Sequence, residues 1–209
     1  IRNIHLKIDR KDFLKTDVAY IYDYGDEIPK DSISSLSQQL IGTIAPDLFQ
    51  NKYLVIDFPN QKMRIYDELP NKYRKADFVD VLMRKGRIKI PLTIGNKTEY
   101  VIFDTGNCLG DLLLDKETIN TFTSPNESAI ELLSGKSWGQ DYIIYQKKLV
   151  DPVFIKNKKM TITTAQFTNS DDDVQFNKEE KIIGLIGPLF FINQTVIIDY
   201  KNLKFGTLK

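Results

Sequence analysis

The sequence predicts an all-β protein with a few short helices, arranged as two tandem lobes of which the first is incomplete at its N-terminal end. Three observations carry this expectation. Short strand-like runs are separated by turn pairs, residues 41–62 recur as residues 183–204, and one acid followed by Thr and Gly closes an apolar strand.

The strand-like runs are 53–58, 63–66, 78–83, 88–94, 100–103, 142–145, 160–167 and 196–200. They are rich in β-branched and aromatic residues, which suit a pleated, half-buried surface, and turn pairs such as Lys85-Gly86 and Gly95-Asn96 punctuate them. Helical expectations are confined to 34–41, 116–122 and the stretch around 189–192.

The repeat sets the organisation. Residues 41–62 align without a gap to 183–204 at an offset of 142, with ten identical positions, among them Gly42 with Gly184, Pro46 with Pro188, Phe49 with Phe191, Asp57 with Asp199 and Asn60 with Asn202. A recurrence this long reads as an internal duplication. Residues 1–70 are then the C-terminal part of a first lobe, 71–87 a linker, the junction around Glu68-Leu-Pro-Asn-Lys-Tyr-Arg-Lys carrying Pro and mixed charge, and 88–209 a complete second lobe.

Composition excludes several classes of function. Hydrophobic residues make up 42% and charged residues 27%, as in a folded globular chain rather than a disordered one. With 29 basic and 28 acidic residues the net charge is +1, so no long-range field selects nucleic acid or an anionic membrane. The longest apolar run, 182–192, is about half a bilayer-spanning helix and contains Pro188, which places it in a core. A single cysteine, Cys108, excludes an internal disulfide, and a single histidine, His5, excludes a multi-histidine metal centre. No cofactor and no metal are implied. The chain opens at Ile1 without a basic and apolar leader, so any signal peptide is expected upstream or removed; the compartment is open, with export to the periplasm or cell envelope one expectation.

Chemistry concentrates in residues 90–107, which read as strand, tight turn, strand, and then a loop at Asp104-Thr105-Gly106-Asn107. A carboxylate there ends an apolar strand and is held rigidly. Gly106 lets the chain fold back so that backbone N–H groups face the acid, and Thr105 adds a hydroxyl.

On these residues the chain resembles the aspartic peptidases of the pepsin/retropepsin fold, whose Asp-Thr-Gly loop is followed some 80 residues later by two apolar residues and a glycine threading beneath it. Here Ile182-Ile183-Gly184 follows Asp104 by 78 residues. The downstream segments Gly187-Pro-Leu-Phe-Phe-Ile-Asn and Val196-Ile-Ile-Asp-Tyr look like the short helix and strand of two-copy retropepsin-like proteins of bacterial origin, and Leu40-Ile41-Gly42 and Val55-Ile56-Asp57 repeat that ending in the first copy. The resemblance implies an acid-protease barrel and peptide-bond hydrolysis, with Asp104 catalytic and Thr105 and Gly106 its scaffold. Asn107 stands where the family has Ser or Thr beside the outer carboxylate oxygen. The family's β-hairpin flap has its best match at 133–143, with Gly135 and Gly139 as turn residues and Trp138, with Gly139, available to touch substrate; Trp138 reads equally as a packing residue.

One carboxylate cannot serve as both base and acid. Asp104 therefore requires a second aspartate, yet the offset carries it to a position before Ile1. The partner is expected from the missing N-terminal segment of the first lobe or from a second chain, and the substrate is a peptide or protein. Two alternatives stay open, a catalytically inactive peptide-binding or cell-envelope protein and a homodimeric retropepsin-like enzyme.

The remaining features read as structural. Cys108 is a small packing residue and His5 a surface strand residue. Asp171-Asp172-Asp173 lacks the ligand spacing of a calcium loop and reads as a solvated turn; Lys156, Lys158 and Lys159 read as a charged hairpin edge; Asp57 and Asp199 read as strand-end residues.

Overall fold

A computed structural model describes residues 4–8, 11–16, 44–107, 110–137 and 140–209. The chain divides into two compact units, Ile1–Leu48 and Phe49–Lys209. The described part of the first is an antiparallel hairpin of β1 (Ile4–Ile8) and β2 (Lys11–Thr16). The helix expected at 34–41 and the motif Leu40-Ile41-Gly42 lie outside the described residues.

The second unit is built from β3 (Tyr53–Asp57), β4 (Lys62–Tyr66), β5 (Asp77–Asp80), β6 (Leu82–Arg84), β7 (Arg87–Ile94), β8 (Lys97–Phe103), β9 (Leu112–Leu114), α1 (Ile119–Phe122), β10 (Ile130–Ser137), β11 (Gln140–Lys148), β12 (Val153–Ile155), β13 (Lys158–Lys159), β14 (Thr164–Thr168), α2 (Asp171–Glu180), β15 (Gly184–Ile186), β16 (Thr195–Asp199) and β17 (Lys204–Leu208). The described residues are mostly β, with two α-helices. Ten strands form one sheet in the order β10-β11-β14-β9-β15-β8-β7-β12-β13, with β6 also on β7, and five form another in the order β4-β3-β16-β17-β5. Both sheets are open, so the expected closed barrel is corrected: β10 and β13 stand at opposite ends of the larger sheet and do not pair. Residues 71–87, expected as a linker, hold a 3-10 turn at Asn71–Tyr73 and the strands β5 and β6.

The offset of the sequence repeat recurs in the elements. It carries a 3-10 turn at Pro46–Phe49 onto one at Pro188–Phe191, β3 onto β16, and β4 onto β17. Asp57 accepts from the backbone and side-chain amides of Asn60, and Asp199 does the same with Asn202, so both acids fasten the turn of their hairpin. Gln61 and Leu203, also related by the offset, both take left-handed φ values, 51° and 54°.

Register adds a further relation. β3 and β16 pair antiparallel with Val55 opposite Ile197, its own counterpart in the repeat, so that a local twofold passes between these two residues. Both are fully buried, and Tyr66, Tyr73, Leu69 and Phe78 pack against them. The Phe78 ring lies over Gly206, where a Cβ would stand 2.6 Å from its Cε1. On the other face of the sheet Phe205 meets Phe103 and Phe191 at centroid distances of 5.4 and 5.3 Å.

Polar ties hold the periphery. Asp171, Asp172 and Asp173, expected as a solvated turn, form the first turn of α2 instead: the Ser170 hydroxyl caps the helix by accepting from Asp172 N at 3.1 Å, and acids are favoured at that end of the dipole. At its other end the buried Glu180 meets Lys89, itself buried, at 3.0 Å and Arg87 at 3.4 Å. The Lys89 ammonium outweighs the cost of burial and, with Arg87 and Lys85 adding to it, holds the Glu180 carboxyl below the ordinary glutamate value. Lys156 and Lys158 do more than line an edge. Lys156 donates to Asp77 and to Phe78 O, each at 3.1 Å, and Lys158 donates to Gln194 and Thr207, so the β12–β13 hairpin is fastened to β5 and β17 of the smaller sheet.

Two outcomes follow from these contacts. Ile197→Ala, at a fully buried position, is expected to cost about 2–5 kcal/mol in urea unfolding. Glu180→Gln leaves Lys89 buried without its counter-charge and is expected to cost about 3 kcal/mol at neutral pH. The folded Glu180 value is depressed, so its contribution is present above the unfolded value of about 4.3 and is lost as the pH falls through the folded value. Wild type and variant should therefore converge in stability in acid; a constant gap would show that charge is not what Glu180 supplies.

Candidate active-site loop

The larger sheet is centred on β15. It runs parallel to β8, with Ile186 beside Phe103, and antiparallel to β9, with Ile186 beside Leu112. β8 and β9 are themselves joined by residues 104–111, so β15 passes between the two legs of that loop. The apolar residues explain why the legs hold still: Leu112, Leu114 and Ile186 are at most 1% exposed, and Phe103 sits edge-on to Phe191 at 5.5 Å.

Asp104 follows directly on β8. Its backbone N donates to Ile186 O at 3.0 Å, and its Oδ1 accepts from Gly106 N at 2.8 Å. Asn107 N returns to Asp104 O at 3.2 Å, closing a tight turn over Thr105 and Gly106. Asp104 is half-buried, Thr105 and Gly106 are exposed, and Asn107 is buried. A Cβ at Gly106 would come within 3.3 Å of Asp104 Oδ1, so glycine there lets the amide approach the carboxylate. The structure thus brings Asp104, Thr105, Gly106 and Asn107 into one turn with an accessible carboxylate at its base.

The threading strand differs from the sequence expectation. Ile182-Ile183-Gly184 was expected beneath the loop, but Ile183 N bonds to Tyr100 O, four residues short of Asp104. The residues under the loop are Leu185, Ile186 and Gly187. Gly187 N donates to Asp111 O at 3.4 Å, and a Cβ on Gly187 would stand 2.1 Å from Asn107 O. Gly184 has the same constraint lower down, where a Cβ would be 2.0 Å from Leu113 O. Two Ile/Leu-Ile-Gly triplets lie three residues apart, and only close approach of the loop distinguishes them.

The flap candidate is a hairpin. β10 and β11 pair antiparallel outward from Ser137 opposite Gln140. Gly135 lies within β10, opposite Tyr142, and is not a turn residue; Trp138 and Gly139, expected to touch substrate, lie outside the described residues, as does Cys108. Leu132 and Leu133 on β10 are both exposed.

Two further acids flank the loop and were not singled out in the sequence. Asp115 is buried, and its carboxylate accepts from Glu117 N, Thr118 N, Thr118 Oγ1 and Asn177 Nδ2 at 2.8 to 3.0 Å. Burial pushes its carboxyl up, but these four donors outweigh it and leave the group below the ordinary aspartate value. Asp111, at the far foot of the loop, is half-buried and has only the desolvation, which raises it. Among the described residues no group of three or more His, Cys, Asp or Glu side chains is placed to hold a metal ion.

No family model matches the chain, and no curated protein matches it. Among solved structures it is similar to a retropepsin-like aspartic protease from Rickettsia conorii, with 17% sequence identity over 54% of this chain and 84% of that one and a TM-score of 0.41.

Replacing Gly187 by Ala drives a methyl into the Asn107 carbonyl, a backbone atom that cannot swing aside. A loss of about 1–3 kcal/mol is expected in chemical denaturation. Unchanged stability would show that the loop does not rest on Gly187.

Proposed function

We propose that the chain is an aspartic-type peptide-bond hydrolase in which Asp104 supplies one of two carboxylates that share a proton. The observation that carries this reading is the seating of Asp104: an accessible carboxylate fixed by Gly106 N at 2.8 Å, at the head of a loop pinned from below by β15. Two carboxyl groups about 3 Å apart cannot both ionise, so one is a base and the other an acid at the same pH. The base takes a proton from water as its oxygen adds to the peptide carbonyl carbon. The acid polarises the carbonyl oxygen, and a proton passes to the amide nitrogen as the C–N bond breaks. Thr105 and Gly106 position the acid, and Asn107 completes the turn.

The second carboxylate comes, on this reading, from a first-lobe counterpart preceding Ile1 or from another chain. Support for a paired design lies in the duplication that the repeat suggests and in the register that sets Val55 opposite Ile197. On this reading the chain holds the end of one lobe and a second lobe, the hairpin of β10 and β11 is the candidate flap, and Trp138 and Gly139 are proposed to touch substrate.

The test is cleavage of an unfolded protein between about pH 3 and 7 by full-length protein, the range in which one member of such a pair is ionised. Asp104→Asn is expected to lower the rate by about a thousandfold or more. Activity that survives the substitution overturns the proposal.

A further inference from the structure

We infer that Asp111 lines a subsite that takes a Lys or Arg side chain of the peptide, close to the scissile bond at Asp104; this rests on the peptidase reading above. The placement comes from strand register. Phe103, Ile186 and Leu112 form one row across β8, β15 and β9, and Phe103 points that row into the aromatic core with Phe191 and Phe205. The next row is Asp104, Gly187 and Asp111, tied by Asp104 N to Ile186 O and Gly187 N to Asp111 O. Side chains alternate faces along a strand, so this row turns away from the core, on the face of the half-buried Leu185 and Leu113. Two strand spacings put Asp104 and Asp111 about 10 Å apart at Cα, and the residue between them has no side chain.

The second observation is chemical. Asp111 is half-buried, and among the described residues no hydrogen bond or ion pair engages its carboxylate, whereas the buried Asp115 and Asp199 accept hydrogen bonds and the buried Glu180 is ion-paired to Lys89. A partly desolvated carboxylate without a donor costs free energy and returns nothing to the fold. An ionised carboxylate only accepts, so the partner it lacks is a donor, and a cationic one recovers most. An extended peptide advances about 3.3 Å per residue, which puts a basic side chain held by Asp111 within about three residues of the scissile bond.

The experiment uses full-length protein and a matched set of peptides that share one cleavage site and differ only in carrying Lys, Arg, Gln or norleucine at each of the three positions on either side. Wild type is expected to favour Lys or Arg over Gln by about tenfold or more in kcat/KM at one of these positions. Asp111→Asn should reduce that ratio to about twofold or less, and Asp111→Glu should restore it. An indifferent wild type, or a preference that survives Asp111→Asn, overturns the inference. If none of the peptides is cut, the peptidase reading fails, and equilibrium binding of the same Lys and Gln peptides to wild type and Asp111→Asn still decides the subsite. Thermal unfolding guards against a purely structural role: Asp111→Asn should melt no lower than wild type, and a lowered midpoint would assign Asp111 to the fold and overturn the subsite.

Discussion

The passage of β15 between β8 and β9 is the constraint on which the site depends. A strand enclosed on both sides by hydrogen-bonded neighbours cannot shift without breaking both ladders, and here the connection between those neighbours also crosses over it. That crossing leaves no room for a side chain at Gly187, where the Asn107 carbonyl occupies the place of a Cβ. Fixing Gly187 fixes the loop, and the loop fixes Asp104 through Ile186 O and Gly106 N. The hydrogen bonds that seat this carboxylate thus come from backbone atoms, above legs held still by apolar packing.

Around that centre the fold uses polar contacts where a larger core would use apolar ones. α2 buries Val174, Asn177 and Glu180, one residue per turn, and only the first is apolar. Asn177 reaches Asp115 behind the loop, and Glu180 reaches Lys89 on β7, so the helix is held by a hydrogen bond at one point and an ion pair at another. Asp111 and Asp115 show how local donors decide a carboxyl group's state. They are four residues apart, and Asp115 is the more deeply buried, yet Asp111 is raised and Asp115 lowered because only Asp115 is given donors.

The sequence made the β character, the repeat and the Asp104 turn legible, because each leaves a local signature: alternating β-branched residues, identity at a fixed offset, and a glycine two residues after an acid. The strands expected at 88–94 and 196–200 appear as Arg87–Ile94 and Thr195–Asp199. What it hid has several causes. α2 has no apolar stripe, since two of its three buried residues are polar, so Asp171-Asp172-Asp173 read as a turn rather than as a helix start. The three-residue strands β9, β12 and β15 are too short for periodicity to register. The choice between Gly184 and Gly187 as the residue under the loop depends on what approaches each glycine in space, and spacing along the chain cannot supply that. Barrel closure is also a global property: an open sheet and a closed one have the same local pattern.

The pairing of β3 with β16 has a consequence for how the protein is made. Val55 meets Ile197 only after the 142 residues that follow Val55, up to and including Ile197, have been synthesised. At about 5–20 residues per second, the hairpin of β3 and β4 waits on the order of ten seconds outside the ribosome with Leu54 and Val55 uncovered. A two-stranded ribbon is marginal alone in water. During that interval the nascent chain presents a strand edge to which a chaperone, or the same hairpin on a neighbouring polysome, can add before the native partner emerges.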